Sequence, residues 1–360
     1  MLPFDVSGPM PSPAHSHTMQ KNLSSDDHSN PTTLLDVARA AGVSASTVSR
    51  IMNGTARVAD DKRKAVLAAI EKMHFAPNQM ARSLKKGSTM TIGIVVQDIS
   101  SPFFDETLRG VDDALKGTGY TSVIVSGHWN ADEESDRIRL LLARKVDGII
   151  LLTGRISDET VLKFANQRPI VATGRALRTS NAIGFKVDNE HGAYLATRHL
   201  LDLGHRRIVF IKGPDSSSDA NERLAGYHRA MAEADVPVDP QLVVQGDFHE
   251  PSGQAAITAL LERDVPFTAV FAANDLSAYG ARLALYRKDR HVPDDVSLVG
   301  FDDLPGSSYT APPMTTVRQP LYDLGKAATN ALLSLMGREA FDEGVAPVEL
   351  IVRETTRAVE

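Results

Sequence analysis

The hydrophobic residues follow two different spacing patterns along the chain. Up to about residue 75, apolar residues recur three and four positions apart, which is typical of amphipathic helices. From Thr91 onward, short and almost continuous apolar runs alternate with helical stretches, a pattern that is typical of buried parallel strands. The sequence therefore predicts a small helical domain followed by a larger α/β domain.

The first pattern predicts a short helix between Thr33 and Gly42. Thr33 is a favourable N-cap residue, and Asp36 lies near the positive end of the helix dipole. Gly42 ends the helix, because glycine readily adopts the left-handed conformation that a tight turn needs. The apolar face of this helix is formed by Leu34, Val37, Ala38 and Ala41.

Two further helices are expected to complete this domain. Ser44 caps the second, which runs from Ala45 to about Asn53 and turns Val48 and Ile51 inward. Its polar face consists of Ser46, Ser49, Arg50 and Asn53. The third, about Asp60 to Met73, carries an apolar stripe of Val66, Ala69, Ile70 and Met73. This pattern is typical of a helix-turn-helix that enters the DNA major groove, and a helical hairpin with a solvated face is the alternative.

The second pattern, in which apolar runs alternate with helical stretches, predicts a doubly wound α/β domain. The predicted strands are Thr91–Val96, Thr121–Val125, Gly148–Leu152, Ile170–Thr173, Arg207–Ile211, Leu242–Val244, Ala269–Ala272 and Ser297–Phe301. The helical stretches include Phe103–Lys116, Asn189–Leu203 and Leu276–Lys288. Ligands of such sheets sit at the carboxyl ends of the strands, so the residues after the strands are the candidates for binding.

These candidates combine carboxylates, an amide, arginines and aromatic rings, which together suit a polar, neutral ligand. Each also has a structural interpretation, since an Asp after a strand commonly caps the next helix and a Phe pair commonly belongs to the core. The candidates are Asp98, Phe103, Phe104, Arg175, Arg223, Phe248, Asn274 and Asp302.

Composition and charge restrict the function further. Residues 31–90 hold 10 Lys and Arg against 4 Asp and Glu, whereas residues 91–360 hold 28 against 38, so only the first part is expected to meet a polyanion. The chain has no cysteine, which excludes disulfides and Cys-ligated metal sites. No apolar run is long enough to span a membrane, and residues 1–31 are expected to form a disordered tail without a secretory signal. A cytoplasmic protein is expected.

The order and spacing of short motifs give a more specific identification. In the first part the motifs are Gly42-Val43-Ser44, Thr47-Val48-Ser49-Arg50, Asn53-Gly54, Pro77-Asn78 and Ala81-Arg82-Ser83-Leu84. Later motifs include Arg223-Leu224-Ala225-Gly226-Tyr227, Asn274-Asp275, Val299-Gly300-Phe301-Asp302-Asp303 and Pro312–Val317. Together they resemble the LacI/GalR family of repressors over about residues 32–355.

The resemblance implies a domain organisation and a set of DNA contacts. It implies a helix-turn-helix domain at residues 32–76, a hinge helix and linker at 77–90, and an effector and dimerisation domain at 91–360, similar to periplasmic sugar-binding proteins. Base edges would be read by Ala45, Ser46, Ser49 and Arg50. Ser44, Thr47 and Asn53 would contact phosphates, and Leu84 would wedge between base steps in the minor groove. Arg82 and Lys85 of the basic hinge would also bind DNA.

The resemblance also implies a homodimer that binds a pseudo-palindromic operator in double-stranded DNA and is controlled by a small-molecule effector. Arg223, Asn274 and Asp302 are the first candidates for effector contact. A sugar is the first expectation and a purine or nucleoside the second, while inducer against co-repressor and dimer against tetramer stay open. A sugar-transport protein and an enzyme are the rival classes. Neither a cofactor nor a metal is expected, and no common catalytic motif is found.

Overall fold

The computed structural model describes residues 32–52, 58–75, 88–338 and 344–359. The chain divides into two compact units, residues 1–79 and residues 80–360. The described part of the first unit, residues 32–75, is called the headpiece here, and that of the second, residues 88–359, the large domain. The predicted fold class, a helix-turn-helix unit with an α/β unit, is confirmed.

The headpiece consists of three short helices around a small apolar core. The helices are α1 (Leu34–Ala40), α2 (Ala45–Met52) and α3 (Asp60–Lys72). Val37, Val48 and Val66 contribute one fully buried side chain from each helix, and Phe75 closes the core after α3. Because each helix is too short to be stable alone, this shared core holds their geometry.

Both ends of α1 and the start of α2 form as the sequence predicts. Thr33 and Asp36 form a reciprocal capping box at the start of α1. Gly42 has a φ of 65°, in the left-handed region, and the Ser44 hydroxyl accepts a hydrogen bond from the backbone N–H of Thr47. The turn between the two helices is therefore fixed by local chemistry at both ends.

Helix α3 begins without a side-chain cap. Its N-cap residue is Ala59, and no side chain accepts a hydrogen bond from the first N–H groups of the helix. We expect Ala59→Ser to stabilise the headpiece by about 1 kcal/mol, because a serine hydroxyl would accept one of these bonds. Hydrogen exchange of the α3 amides in the full chain should then slow about fivefold.

The exposed residue Ala68 in the middle of α3 gives a matched control for this prediction. Ala68→Ser introduces the same side chain where it can cap nothing, and we expect slightly faster exchange. Equal effects of the two serines would show that the missing cap does not limit α3.

The large domain contains two sheets, each with its own layer of helices. The first sheet is parallel, in the order β2-β1-β3-β4-β5. Its strands are β1 (Thr91–Val96), β2 (Thr121–Ser126), β3 (Gly148–Leu151), β4 (Ile170–Thr173) and β5 (Ala182–Phe185). The helices of this first subdomain are α4 (Asp105–Leu115), α5 (Ala131–Ala143), α6 (Asp158–Ala165) and α11 (Leu321–Leu335).

The second sheet has six strands in the order β11-β10-β9-β8-β6-β7 and is parallel except for β11. Its strands are β6 (Ile208–Lys212), β7 (Val243–Gln245), β8 (Ala269–Ala272), β9 (Ser297–Asp302), β10 (Thr315–Arg318) and β11 (Glu349–Ile351). The helices of this second subdomain are α7 (Asn189–Asp202), α8 (Ser218–Glu233), α9 (Glu250–Glu262) and α10 (Asp275–Arg287).

The chain passes between the subdomains instead of completing one before the other. It crosses at residues 186–188, after β5, and again at 319–320, where β10 of the second sheet leads to α11 of the first subdomain. It returns from α11 to β11 through residues 336–348, of which 339–343 lie outside the described residues. The crossings place the cleft between the subdomains at the carboxyl ends of both sheets.

Glycines set the closest helix contacts in the second subdomain. A Cβ atom added to Gly280 of α10 would overlap the backbone carbonyl of Glu250 at the start of α9. In return, a Cβ atom on Gly253 of α9 would overlap the carbonyl of Ser277 on α10. The two backbones therefore touch at two points where only glycine fits.

The predicted strands differ from those observed in burial and in number. The run at 121–125 was expected to be buried, but β2 lies at a sheet edge with Val123 and Ile124 exposed, so that expectation was wrong. Strands β5, β10 and β11 were not predicted. Each has only three or four residues, and β10 begins with the buried polar pair Thr315 and Thr316.

Candidate functional site

The second helix of the headpiece presents a polar surface at its start. The Ser44 hydroxyl lies 2.9 Å from the hydroxyls of Ser46 and of Thr47, so three hydroxyl groups cluster at the helix N-terminus. Ser46 is exposed, as is Arg50 one turn later. Arg50 forms no ion pair with any residue that the structure describes. Such a surface can donate hydrogen bonds to phosphates and to base edges.

Two other predicted DNA contacts of this helix are partly accessible. Ala45 is half-buried and packs against the headpiece core, and Ser49 is half-buried as well. The predicted DNA contacts at Asn53, Arg82, Leu84 and Lys85 lie outside the described residues.

The large domain holds a cavity of about 270 Å³ in the cleft between its subdomains. Seven of the eight ligand candidates line it, namely Asp98, Phe103, Phe104, Arg223, Phe248, Asn274 and Asp302. They come from five loops or helix starts of both subdomains, which the carboxyl ends of the strands bring together.

A buried ion pair forms the floor of this cavity. Arg223 of α8 and Asp302 at the end of β9 are almost inaccessible to solvent, with 4 % and 3 % of their surface exposed, and the Nη1–Oδ1 distance is 3.6 Å. The Arg223 Nε donates to Asn189 Oδ1 at 2.9 Å, and Gln319 donates to Asp302 at 2.7 Å. The guanidinium also lies 3.8 Å from the centroid of the Phe301 ring.

Burial raises the pKa of Asp302 to about 6, and the nearby Arg223 guanidinium opposes this shift. The neighbouring Asp275 is also buried, accepts hydrogen bonds from Ser307 and Thr316, and has a pKa of about 8 because burial and the Asp302 charge both raise it. Asp302 also has a backbone φ of 115°, which is unusual for a residue with a side chain. The carboxylate of Asp302 is thus held in a costly position at the cleft.

Asn274 and Phe248 are coupled structurally. The Asn274 side chain caps α10 by accepting from Ser277 N–H, and its amide donates to the Phe248 carbonyl at 2.8 Å. Phe248 has a φ of 72°, and its ring lies where a Cβ on Gly213 would be. Asn274 therefore holds the loop that presents the Phe248 ring to the cavity.

The opposite wall carries Phe103 and Phe104, which meet edge to face with 5.1 Å between their centroids. Phe104 is buried in the core of the first subdomain, whereas Phe103 is partly exposed. Asp98 accepts two hydrogen bonds from Ser100, which lower the pKa of this carboxyl. It is ionised at neutral pH and can accept bonds from ligand hydroxyl groups.

Arg175, the eighth candidate, does not line this cavity. Its guanidinium lies in an adjoining cavity of about 390 Å³, where it pairs with Asp158 at 2.7 Å and donates to the Gly154 carbonyl. The two cavities share Trp129, Thr153, Arg155, Ser217 and Asp219.

Sequence reasoning missed several lining residues. They are Ser101, Trp129, Thr153, Arg155, Pro214, Ser217, Asp219, Asp247, His249 and Leu276. Trp129 follows β2 and Thr153 follows β3, so the rule that identified the other candidates would have found both. Among the described residues, no group of His, Asp and Glu side chains could hold a metal ion, and no helix there is long and apolar enough to cross a membrane.

A three-helix DNA-binding unit joined to a two-subdomain α/β unit with a ligand-sized cleft defines an effector-controlled transcriptional regulator. Residues 33–78 match the family described as bacterial regulatory proteins, lacI family, and residues 89–354 match periplasmic binding proteins and sugar binding domain of LacI family. The chain belongs to the LacI family of transcriptional regulators.

The similarity to known regulators covers nearly the whole length of those proteins. Catabolite control protein A of Priestia megaterium is 33 % identical over 90 % of this chain and 99 % of its own. The HTH-type transcriptional repressor PurR of Photobacterium profundum is 34 % identical over 90 % of this chain and 98 % of its own. The structure of the lac repressor dimer bound to operator and the anti-inducer ONPF has a TM-score of 0.80 and 28 % identity, covering 91 % of this chain and 100 % of that chain.

Proposed function

We propose that this regulator is a repressor that binds a pseudo-palindromic operator as a homodimer and is controlled by a neutral sugar in the cleft. The headpiece supplies the DNA contacts through Ser44, Thr47 and Arg50, together with the predicted hinge residues. The exposed apolar edge strand β2 supports a dimer, because a second copy would cover it.

The charge and shape of the cavity carry the choice of effector. Its lining includes four carboxylates, at Asp98, Asp219, Asp247 and Asp302, against only two arginines. Of the two arginines, Arg223 already pairs with Asp302 and donates a hydrogen bond to Asn189. Carboxylates accept hydroxyl hydrogen bonds and repel anions, so the cavity favours a neutral, hydroxyl-rich molecule over a phosphorylated one.

The aromatic walls support the same proposal and one alternative. The rings of Phe103, Trp129 and Phe248 can pack against the apolar face of a sugar ring. The same rings can stack on a purine, and a purine or nucleoside effector is therefore the second candidate.

We expect the full-length protein to enrich a palindrome from a random pool of DNA duplexes. Arg50→Ala should weaken binding to the enriched operator about 10- to 100-fold, because an exposed arginine at this position can donate two bonds to a guanine. Affinity is to be measured at fixed salt concentration, since charge loss alone also weakens DNA binding.

Lys72→Ala provides the matched control, because it removes one exposed positive charge from α3 and leaves α2 intact. Equal losses for Arg50→Ala and Lys72→Ala would contradict base reading by Arg50. The enriched operator then serves to test a panel of neutral monosaccharides, disaccharides, purine bases and nucleosides for release or tightening. If the wild-type chain enriches no sequence, alone or with the panel, operator binding is wrong.

A further inference from the structure

Two neighbouring loops of the cleft wall have a strained backbone. The loop after β2 contains His128 and Trp129 with φ values of 52° and 55°, and the loop after β3 contains Thr153 with a φ of 57°. A non-glycine residue in the left-handed region costs of the order of 1 kcal/mol or more, and persists only where surrounding contacts enforce it. These loops supply Trp129, Thr153 and Arg155 to both cavities.

The contacts that enforce this backbone come from two buried polar side chains. Gln97, fully buried after β1, accepts from the Trp129 N–H through Oε1 at 3.0 Å and donates to the Thr153 carbonyl through Nε2 at 3.4 Å. Glu134 of α5 is 2 % exposed and accepts from the backbone N–H groups of Arg155, at 2.8 Å, and Ile156, at 3.1 Å. One side chain therefore joins the two loops, and the other fixes the second loop from below.

Glycines leave the room that this arrangement needs. A Cβ on Gly127 would lie 2.5 Å from Glu134 Cγ, and a Cβ on Gly154 would lie 2.6 Å from Glu134 Oε2. Gly154 also has a φ of 141°, which a residue with a side chain rarely adopts. The sequence thus combines a costly buried carboxylate with two glycines that admit it.

Helix stability does not account for Glu134. Carboxylates in the first turn of a helix favour the positive end of its dipole, and Asp132 fits that role because it is exposed in the first turn of α5. Glu134 instead points inward, where burial raises its pKa and the Arg155 and Ile156 N–H groups oppose the shift. A buried carboxylate destabilises a fold unless it is fully hydrogen-bonded, so an apolar residue would serve helix packing better.

We infer that Gln97 and Glu134 are positioning residues of the effector site, which hold the two strained loops so that Trp129, Thr153 and Arg155 face the ligand. They touch no ligand themselves, since neither lines the cavities. The inference deepens the proposed function, and the part of its test that measures effector affinity rests on that function.

The test uses the only tryptophan of the chain as a local probe. In the full-length protein without effector, Glu134→Ala should shift the Trp129 emission maximum and raise its acrylamide quenching constant at least twofold. Hydrogen exchange should accelerate in residues 127–129 and 153–156. Glu134→Gln retains one carbonyl acceptor, so we expect it to lie between Glu134→Ala and the wild type.

The effector arm measures the affinity of the tightest-binding compound of the sugar and purine panel. We expect Glu134→Ala to weaken it at least tenfold, with operator affinity in the absence of effector within about twofold of the wild type. Asp132→Ala, in the same helix turn, should leave tryptophan emission and effector affinity unchanged.

The two arms separate the possible failures. If Trp129 emission, quenching and exchange in both loops are the same in Glu134→Ala and Glu134→Gln as in the wild type, the positioning role is wrong. If the loops respond but effector affinity does not, the loops do not serve effector binding and the inference is overturned. If no panel compound binds the wild type, the proposed effector class fails, and the loop readouts still decide whether Glu134 holds the two loops.

Discussion

Replacing Arg223 with methionine should destabilise the large domain by about 3–5 kcal/mol, because the change leaves the Asp302 carboxylate buried without its counter-charge. Asn189 loses the donor of its hydrogen bond at the same time. Urea unfolding of the full-length protein, followed by Trp129 fluorescence and by circular dichroism, measures the loss. Effector affinity should fall with it, since both members of the pair line the cavity.

The pH dependence gives this prediction a second signature. The pKa of Asp302 lies at about 6, above its ordinary value of 3.8, so this group lowers wild-type stability as pH rises towards 6 and has no further effect above it. Without Arg223 the pKa rises further, and the variant continues to lose stability above pH 6. The stability difference between wild type and Arg223→Met should therefore widen from pH 6 to pH 8.

A second substitution serves as the control. Asp302→Asn removes the uncompensated charge, so the double variant Arg223→Met/Asp302→Asn should be more stable than Arg223→Met alone at pH 8. A pH-independent loss in Arg223→Met, unrelieved by Asp302→Asn, would show that the arginine acts through packing on Phe301 and not through the ion pair.

We expect Gly280→Ala to destabilise the second subdomain by about 3 kcal/mol, although alanine has the higher helix propensity. The added methyl group overlaps the Glu250 carbonyl, and backbone cannot move aside as a flexible side chain can. The two helices must therefore separate, which opens the packing on both sides of the contact. Urea unfolding gives the free energy directly.

The reciprocal contact makes this prediction sharper. Once Gly280→Ala has pushed α9 and α10 apart, Gly253→Ala should cost less than it does in the wild-type background, because the room is already open. Additive losses would mean that the two glycines act independently and that the helix pair does not move as a unit.

The sequence predicted β1, β4 and β8 residue for residue, because each is a short, mostly apolar run. It did not reveal β10. In β10 the polar residues are buried together with their hydrogen-bond partners. The Thr316 hydroxyl donates to Asp275, and the Thr315 backbone N–H donates to the Thr355 hydroxyl. A buried polar residue resembles a surface residue until its partner is known. Nor can an apolar run show whether the chain covers it, as β2 demonstrates.

The site was predictable to the extent that topology fixes it. Six of the seven candidates in the cavity follow strand ends, which converge as a consequence of the fold class, and Arg223 reaches the cavity from α8. Arg175 has the same relation to its strand but faces the adjoining cavity, and its direction depends on the ion pair with Asp158. The role of Glu134 could not be predicted, because its carboxylate accepts hydrogen bonds from backbone N–H groups of a loop that begins about 20 residues later in the chain, with Arg155 21 residues away.

The Arg223–Asp302 pair reaches both described crossings between the subdomains. Asn189, which holds Arg223, follows the crossing at 186–188, and Gln319, which holds Asp302, lies in the crossing at 319–320. A substitution of Arg223 or Asp302 that changes the ligand contacts would therefore also disturb residues at the crossings between the subdomains. New effector specificities should arise instead on the walls, at positions such as Phe103, Trp129 and Asp247. Engineers who convert this regulator into a biosensor for another compound should diversify those walls and leave the floor untouched.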